Sequence, residues 1–294
     1  MSDTMQLGNR TRTYSVVGAP SGEPGRAAVL VFHGSRQTGA VHREFTGGAL
    51  DRLAAEGRAV VAYLDGYRGN WNDARRESSF PARLEQIDDI GFARAVIERL
   101  RQTHHIDPHR VLVVGFSNGG QMVFRVLHEA PELIAGAVVV AATMPDPENF
   151  TAGFSTTSER AVPVTLVAGT ADRIAPYAGG RMAWWARKLF KVDGTALSAH
   201  ETAGYFAARN GIHSTPVTVT LHTGEGRRAR TRTTRTDYRA AGVPAVSLVT
   251  IVGGGHTVPA VKAGPAILGA TGRDLTIDRI VEQMLDTIGD SSPL

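Results

Sequence analysis

Short runs of β-branched and aliphatic residues alternate along this chain with longer stretches whose apolar positions recur every three or four residues. The short runs predict strands over residues 12–17, 27–32, 58–64, 111–116, 134–142, 162–168 and 246–252. Most are continuously apolar, as strands buried on both faces of a parallel sheet are. The longer stretches predict helices over 45–56, 88–102, 117–129 and 275–288. Within the second of these, Ile90, Phe92, Ala93, Val96, Ile97 and Leu100 share one face, and Asp88 and Asp89 suit its amino terminus. This alternation predicts an α/β fold with a mostly parallel central sheet and helices on both faces. No repeat or low-complexity linker divides the chain, so residues 1–294 read as one domain.

Two segments break the alternation. Residues 144–160 are polar and rich in proline, serine and threonine. Residues 175–211 carry helical material with Trp184, Trp185 and Phe190 ahead of the last central strand. Both are expected to lie over the carboxyl edge of the sheet as a small lid.

Composition narrows the setting. Lysine and arginine number 32 against 28 acids, a net charge of +4 with no basic tail, which gives no footprint for nucleic acid. Arg228, Arg230 and Arg232 recur at a period of two. On a strand they would face one way, and the expectation is a solvated sheet edge rather than an anion site. Cysteine is absent, which excludes disulfides, thiolate metal sites and a cysteine nucleophile. The amino-terminal MSDTMQLGNRTRTYSV lacks the apolar core of a secretory signal, and no stretch reaches the ~18 apolar residues of a membrane span. The expectation is a cytoplasmic protein with no membrane partner; oligomeric state stays open.

The chemistry concentrates in three places. In VLVVGFSNGG, Gly115, Ser117 and Gly119 form G-x-S-x-G between a predicted strand and a predicted helix. A turn that sharp brings its flanking backbones together, so glycines are needed around a serine held in strained geometry with its hydroxyl exposed. Asp172 follows an apolar strand in VTLVAGTADRIAP, and His256 follows the next in LVTIVGGGHTVP. Alone, the aspartate reads as a turn cap and the histidine as a polar loop residue. Together, in the order serine, acid, histidine at the ends of three strands, they read as the triad of an α/β-hydrolase fold. Asp146, Asp193 and Asp237 lack the position after a strand.

The early strand ends in VLVFHGSRQTG, so the backbone N–H groups of Ser35 and Asn118 are the candidate oxyanion donors. His33 is assigned to bracing that loop. No HExxH or paired-histidine helix appears, and a serine triad needs no ion, so neither a metal nor an organic cofactor is expected.

The segments FHGSRQTG, YLDGYRGNWNDAR, DDIGFARAVIERL, VGFSNGGQM, GTADRIAPYAG and GGGHTVP together resemble the polyhydroxybutyrate depolymerase and feruloyl esterase-like branch of the α/β-hydrolase esterases, over roughly residues 31–259. The resemblance implies a serine carboxylesterase that works through an acyl-enzyme, with Ser117 as nucleophile, His256 as base and Asp172 as its acid partner. The expected partner is a small soluble or aromatic carboxylic ester. The alternatives are a polyester depolymerase, an acyltransferase or perhydrolase, and a noncatalytic binding protein. Trp71, in GNWNDAR, is placed either as an aromatic wall beside the substrate or as a buried anchor with Asn72, Asp73 and Arg75 bonding backbone; Trp184 and Trp185 carry the same two readings.

Overall fold

The computed structural model describes residues 2–20, 25–153, 155, 160–190, 192–222 and 230–289. Its strands are β1 (Ser2–Leu7), β2 (Arg10–Val17), β3 (Arg26–Phe32), β4 (Ala59–Leu64), β5 (Ile106–Phe116), β6 (Gly136–Val140), β7 (Val164–Gly169), β8 (Gly180–Arg181), β9 (Thr195–Ala196), β10 (Val217–His222), β11 (Arg232–Tyr238) and β12 (Val246–Val252). Its helices are α1 (Gly39–Phe45), α2 (Asp51–Ala55), α3 (Pro81–Leu84), α4 (Asp89–His104), α5 (Asn118–Glu129), α6 (Trp184–Phe190), α7 (Ala199–Arg209) and α8 (Ile277–Gly289).

Among the described residues, ten strands form one sheet in the order β1-β2-β4-β3-β5-β6-β7-β12-β11-β10. The six central strands, from β4 to β12, run parallel. All six residues of β4 are buried, as are all five of β6, because helices cover both faces of the sheet. On one face α4, α5 and α7 bring Phe92, Met122 and Phe206 into a single core. On the other, α1, α2 and α8 contribute Phe45, Leu53, Ile280 and Met284. The mostly parallel, doubly covered architecture expected from the sequence is therefore observed.

Helix boundaries follow local chemistry. The side chain of Asp88 caps α4 by accepting the Gly91 N–H, and His105 ends it in the left-handed region at φ 52°. The expected helix over 45–56 is instead broken. α1 begins earlier, capped by Thr38, and Gly47 and Gly48 then turn the chain through φ 68° and 67° before α2. Glycine takes these angles without a Cβ penalty, which ends the helix despite the continuing apolar spacing.

Strands β1, β10 and β11 escape apolar pattern reading because they are polar and lie at the sheet margins. Of the arginine row, Arg230 and Arg232 are solvent-exposed as expected, but Arg232 opens β11, an interior strand between β10 and β12 rather than a sheet edge, and Arg228 lies outside the described residues. Of the expected lid segments, α7 belongs to the layer packed on the sheet, with Phe206 stacked on Phe124. Among the described residues no helix is long and apolar enough to cross a membrane.

His33 and His42 are buried and His128 is half-buried, and hydrogen bonds fix all three rings. Burial holds them neutral, lowering their pKa from 6.5 to about 4, about 3 and about 4 respectively. Above pH 6.5 each ring is neutral folded or unfolded. As pH falls, the unfolded chain takes the proton first, so stability is lost from 6.5 down to the folded values. At pH 5 each ring is expected to cost about 2 kcal/mol relative to pH 7.5. Urea midpoints should fall over that window, and a His128→Asn variant should show a shallower slope. A flat midpoint from pH 7 to 5 would contradict the neutral burial of these rings.

Candidate active site

The strand-to-helix elbow at Ser117 has a steric origin that can be read atom by atom. A Cβ at Gly115 would lie 2.3 Å from the Gly119 carbonyl oxygen, and one at Gly119 would lie 2.0 Å from that of Phe32. Only glycine fits either position. Ser117 sits between them at φ 54°, ψ −114°, its N–H held by the Val140 carbonyl at 2.9 Å. This is a region that a residue with a side chain enters only when its surroundings hold it there.

Asp172 follows β7 in a turn that its own carboxylate closes, with Oδ1 accepting the N–H groups of Ile174 (2.8 Å) and Ala175 (2.9 Å). His256 follows β12 after a run of glycines. A Cβ at Gly255 would lie 2.0 Å from the Leu268 carbonyl oxygen, which itself accepts the His256 N–H at 2.7 Å. The three strand ends bring the side chains together. Asp172 Oδ2 lies 2.7 Å from His256 Nδ1, and His256 Nε2 lies 2.9 Å from Ser117 Oγ. An ionised carboxylate only accepts, so Nδ1 carries the proton and the Nε2 lone pair faces the serine hydroxyl. Asp172 and His256 are buried, and the His256 ring packs on Phe116, which stacks in turn on His42.

Ser35 lies just past the end of β3, and Asn118 opens α5 at the end of β5. These strands are hydrogen-bonded neighbours, with Phe32 opposite Gly115, so the two amides leave adjacent strand ends. His33 braces the loop between them as expected. Its Nε2 accepts the Gly66 N–H at 2.9 Å, which places the ring proton on Nδ1, and Nδ1–H donates to the Gly34 carbonyl at 2.7 Å.

Trp71 is no substrate wall. It is fully buried, its ring edge-on to Phe32, and its indole N–H donates to the His33 carbonyl at 2.9 Å. Its backbone N–H reaches Asn118 Oδ1 at 2.9 Å, while Asn118 Nδ2 donates to Asp73 Oδ2, a buried carboxylate that also takes Arg75. The GNWNDAR segment is thus a cradle beneath the elbow. Trp184 and Trp185 are exposed on α6, and neither lines the cavity at Ser117. Trp184 borders a separate open groove that shares Val192 and Asp193 with that cavity.

The cavity holding Ser117 and His256 measures about 50 Å³. Its walls come from the 141–145 loop, the turn after Asp172, and the ribbon of β8 and β9. Arg75, Gln121, Asn149 and Met182 line it and were not singled out in the sequence as cavity residues. Gln121 had a usable signal, since it lies one helical turn beyond Ser117 on α5. The others sit on loops whose placement depends on distant strands. Asp193 also lines the cavity but is paired with Arg187 at 3.0 Å.

The pattern of the phospholipase/carboxylesterase family matches residues 69–201. NocK of Nocardia uniformis subsp. tsuyamanensis, a protein named as an esterase, is 30% identical over 95% of this chain and 80% of its own length. Feruloyl esterase B of Piromyces equi is 27% identical over 56% of this chain and 30% of its own length. An acetyl xylan esterase from Aspergillus awamori shares the fold, with a TM-score of 0.57 at 16% identity over 89% of this chain and 96% of its own. With an esterase relative along nearly the whole chain and the family pattern across its centre, this protein belongs to the phospholipase/carboxylesterase family of α/β-hydrolase-fold carboxylic ester hydrolases.

Proposed function

We propose that the protein is a serine carboxylesterase that cleaves small, soluble, short-acyl esters through an acyl-enzyme. The observation that carries this reading is the unbroken hydrogen-bond chain from Asp172 Oδ2 through the His256 ring to Ser117 Oγ. Ser117 attacks the ester carbonyl as His256 Nε2 takes its proton. The same imidazolium then protonates the departing alcohol, and Asp172 holds the ring in the required tautomer and offsets its charge. Water, activated in turn by His256, releases the acid. The backbone N–H groups of Ser35 and Asn118 receive the oxyanion, each worth about 3–4 kcal/mol of barrier. This chemistry calls for no metal and no organic cofactor.

The 144–153 loop and the β8–β9 ribbon act as the lid, since both line the cavity. Its volume of about 50 Å³ is far below the ~300–1,000 Å³ of pockets that enclose drug-sized ligands, which favours an acyl group of a few heavy atoms over an aromatic one. Initial rates on p-nitrophenyl acetate, p-nitrophenyl butyrate, methyl ferulate, soluble hydroxybutyrate oligomers and a crystalline polyhydroxybutyrate film provide the test. The acetate is expected to lead by about tenfold in kcat/KM over the butyrate, one or two methylenes of misfit being worth ~1–3 kcal/mol. Faster cleavage of the ferulate or the film, per accessible ester, would refute the substrate assignment.

A further inference from the structure

Ser35 stands between two anchored residues. On its amino side, His33 Nδ1–H holds the Gly34 carbonyl. That carbonyl and the Ser35 N–H belong to one trans peptide and point in opposite directions, so fixing one aims the other. On its carboxyl side, Arg36 adopts φ 60°, a left-handed angle disfavoured for any residue with a Cβ, and its N–H donates to the Gly69 carbonyl at 2.8 Å. The Arg36 side chain does not simply extend into solvent. Its Nη2 donates to the Leu189 carbonyl at 2.7 Å, in the last turn of α6, and its guanidinium lies 6.0 Å from the Phe190 ring.

Apart from Arg36, α6 is tied at Arg187, whose Nη1 donates to Asp193 at 3.0 Å, a residue whose own N–H reaches the Glu77 carbonyl at 2.9 Å, and little of its surface is buried. Ala186 is its one buried residue, while Trp184, Trp185 and Leu189 are exposed. Yet the segment it belongs to supplies Met182 and Val192 to the cavity wall. A cationic group on the carboxyl end of a helix meets the negative end of its dipole, so the contact is electrostatically favourable as well as geometrically specific. It joins positions 153 residues apart in the chain.

We propose that Arg36 is a positioning residue that couples the α6 flap to the oxyanion loop. With the flap docked, the guanidinium holds the 35–36 turn in its left-handed form and the Ser35 N–H stays aimed at the reacting oxygen. When the flap lifts, the turn relaxes and that donor is lost, so the oxyanion hole is complete only when the cavity wall is in place. The inference rests on the reading of Ser35 as an oxyanion donor.

The test compares Arg36→Ala and Arg36→Lys with wild-type full-length protein on p-nitrophenyl acetate. It also measures affinity for a trifluoromethyl ketone, whose hemiketal oxyanion reports the hole directly. Arg36→Ala should lower kcat about tenfold with KM within twofold, and weaken the ketone by the same factor, as partial displacement of one donor requires. Amide exchange over 184–190 should quicken while the melting temperature holds. Arg36→Lys, which keeps the charge, should recover part of both kcat and ketone affinity. If flap exchange quickens while kcat and ketone affinity stay within twofold of wild type, Arg36 only caps a helix and the coupling is overturned; a change confined to KM overturns it too. Should Arg36→Ala fail to fold, Arg36→Lys alone decides, by a smaller loss of kcat at constant KM or by no loss. Fluorophosphonate labelling of wild-type protein at Ser117 in the same assay separates this result from the esterase reading, since absent labelling would overturn both.

Discussion

Replacing Ser117 with alanine is expected to abolish stoichiometric fluorophosphonate labelling and to lower ester turnover by about 10⁵-fold or more, with folding intact. Ser117 Oγ is the hydroxyl within reach of His256 Nε2, at 2.9 Å, and without it no acyl-enzyme forms. The backbone tolerates the change, since the glycines around position 117 make room for the turn and alanine adds nothing larger than serine. The φ of 54° is held by the elbow, whichever of the two residues occupies it. Whatever activity remains would come from the oxyanion amides and substrate binding alone. Thermal midpoint, labelling and kcat on p-nitrophenyl acetate decide the matter, and turnover within a hundredfold of wild type would remove Ser117 from the mechanism.

The second large effect belongs to Asp172→Asn, for which kcat should fall about 10⁴-fold with little change in fold. The reason lies in how the carboxylate divides its work. Oδ1 accepts two turn amides and Oδ2 accepts the His256 Nδ1 proton. An asparagine that keeps its oxygen on the turn presents its NH₂ to Nδ1. The ring proton then moves to Nε2, and the lone pair that receives the serine proton disappears. Flipped, the NH₂ group would oppose the N–H groups of Ile174 and Ala175 and leave the turn unsatisfied. Asp146→Asn and Asp193→Asn serve as controls, because Asp146 accepts the Asn149 N–H at 2.9 Å and Asp193 is engaged with Arg187. A loss of similar size in either control, with Asp172→Asn active, would assign the acid elsewhere.

The elbow was legible because its chemistry is local. Gly115 and Gly119 are required by contacts made within a few residues or with the adjoining strand, and such a requirement leaves its mark directly in the sequence. Asp172 and His256 were legible at one remove, since each follows a buried apolar strand and a parallel sheet sends all its carboxyl ends to one edge. The fate of Trp71 was not legible. The same tryptophan among polar residues suits a substrate wall or a buried anchor, and the choice fell to the His33 carbonyl and the Asn118 side chain, 38 and 47 positions away.

The sequence by itself therefore determined the parallel sheet, the sharp turn at Ser117 and the chain order of the serine, acid and histidine, because apolar periodicity and glycine placement act over short distances. Tertiary structure alone decided the rest. Polar strands β10 and β11 joined the sheet only through pairing with β12 and each other, and Gly47 with Gly48 broke a helix whose apolar spacing ran on. α7 proved a core layer while α6 stayed largely exposed, its Leu189 carbonyl accepting from the Arg36 side chain. The physical reason is common to these cases. Pairing, burial and cavity volume are properties of groups far apart in the chain, and no single segment encodes which distant surface will meet it.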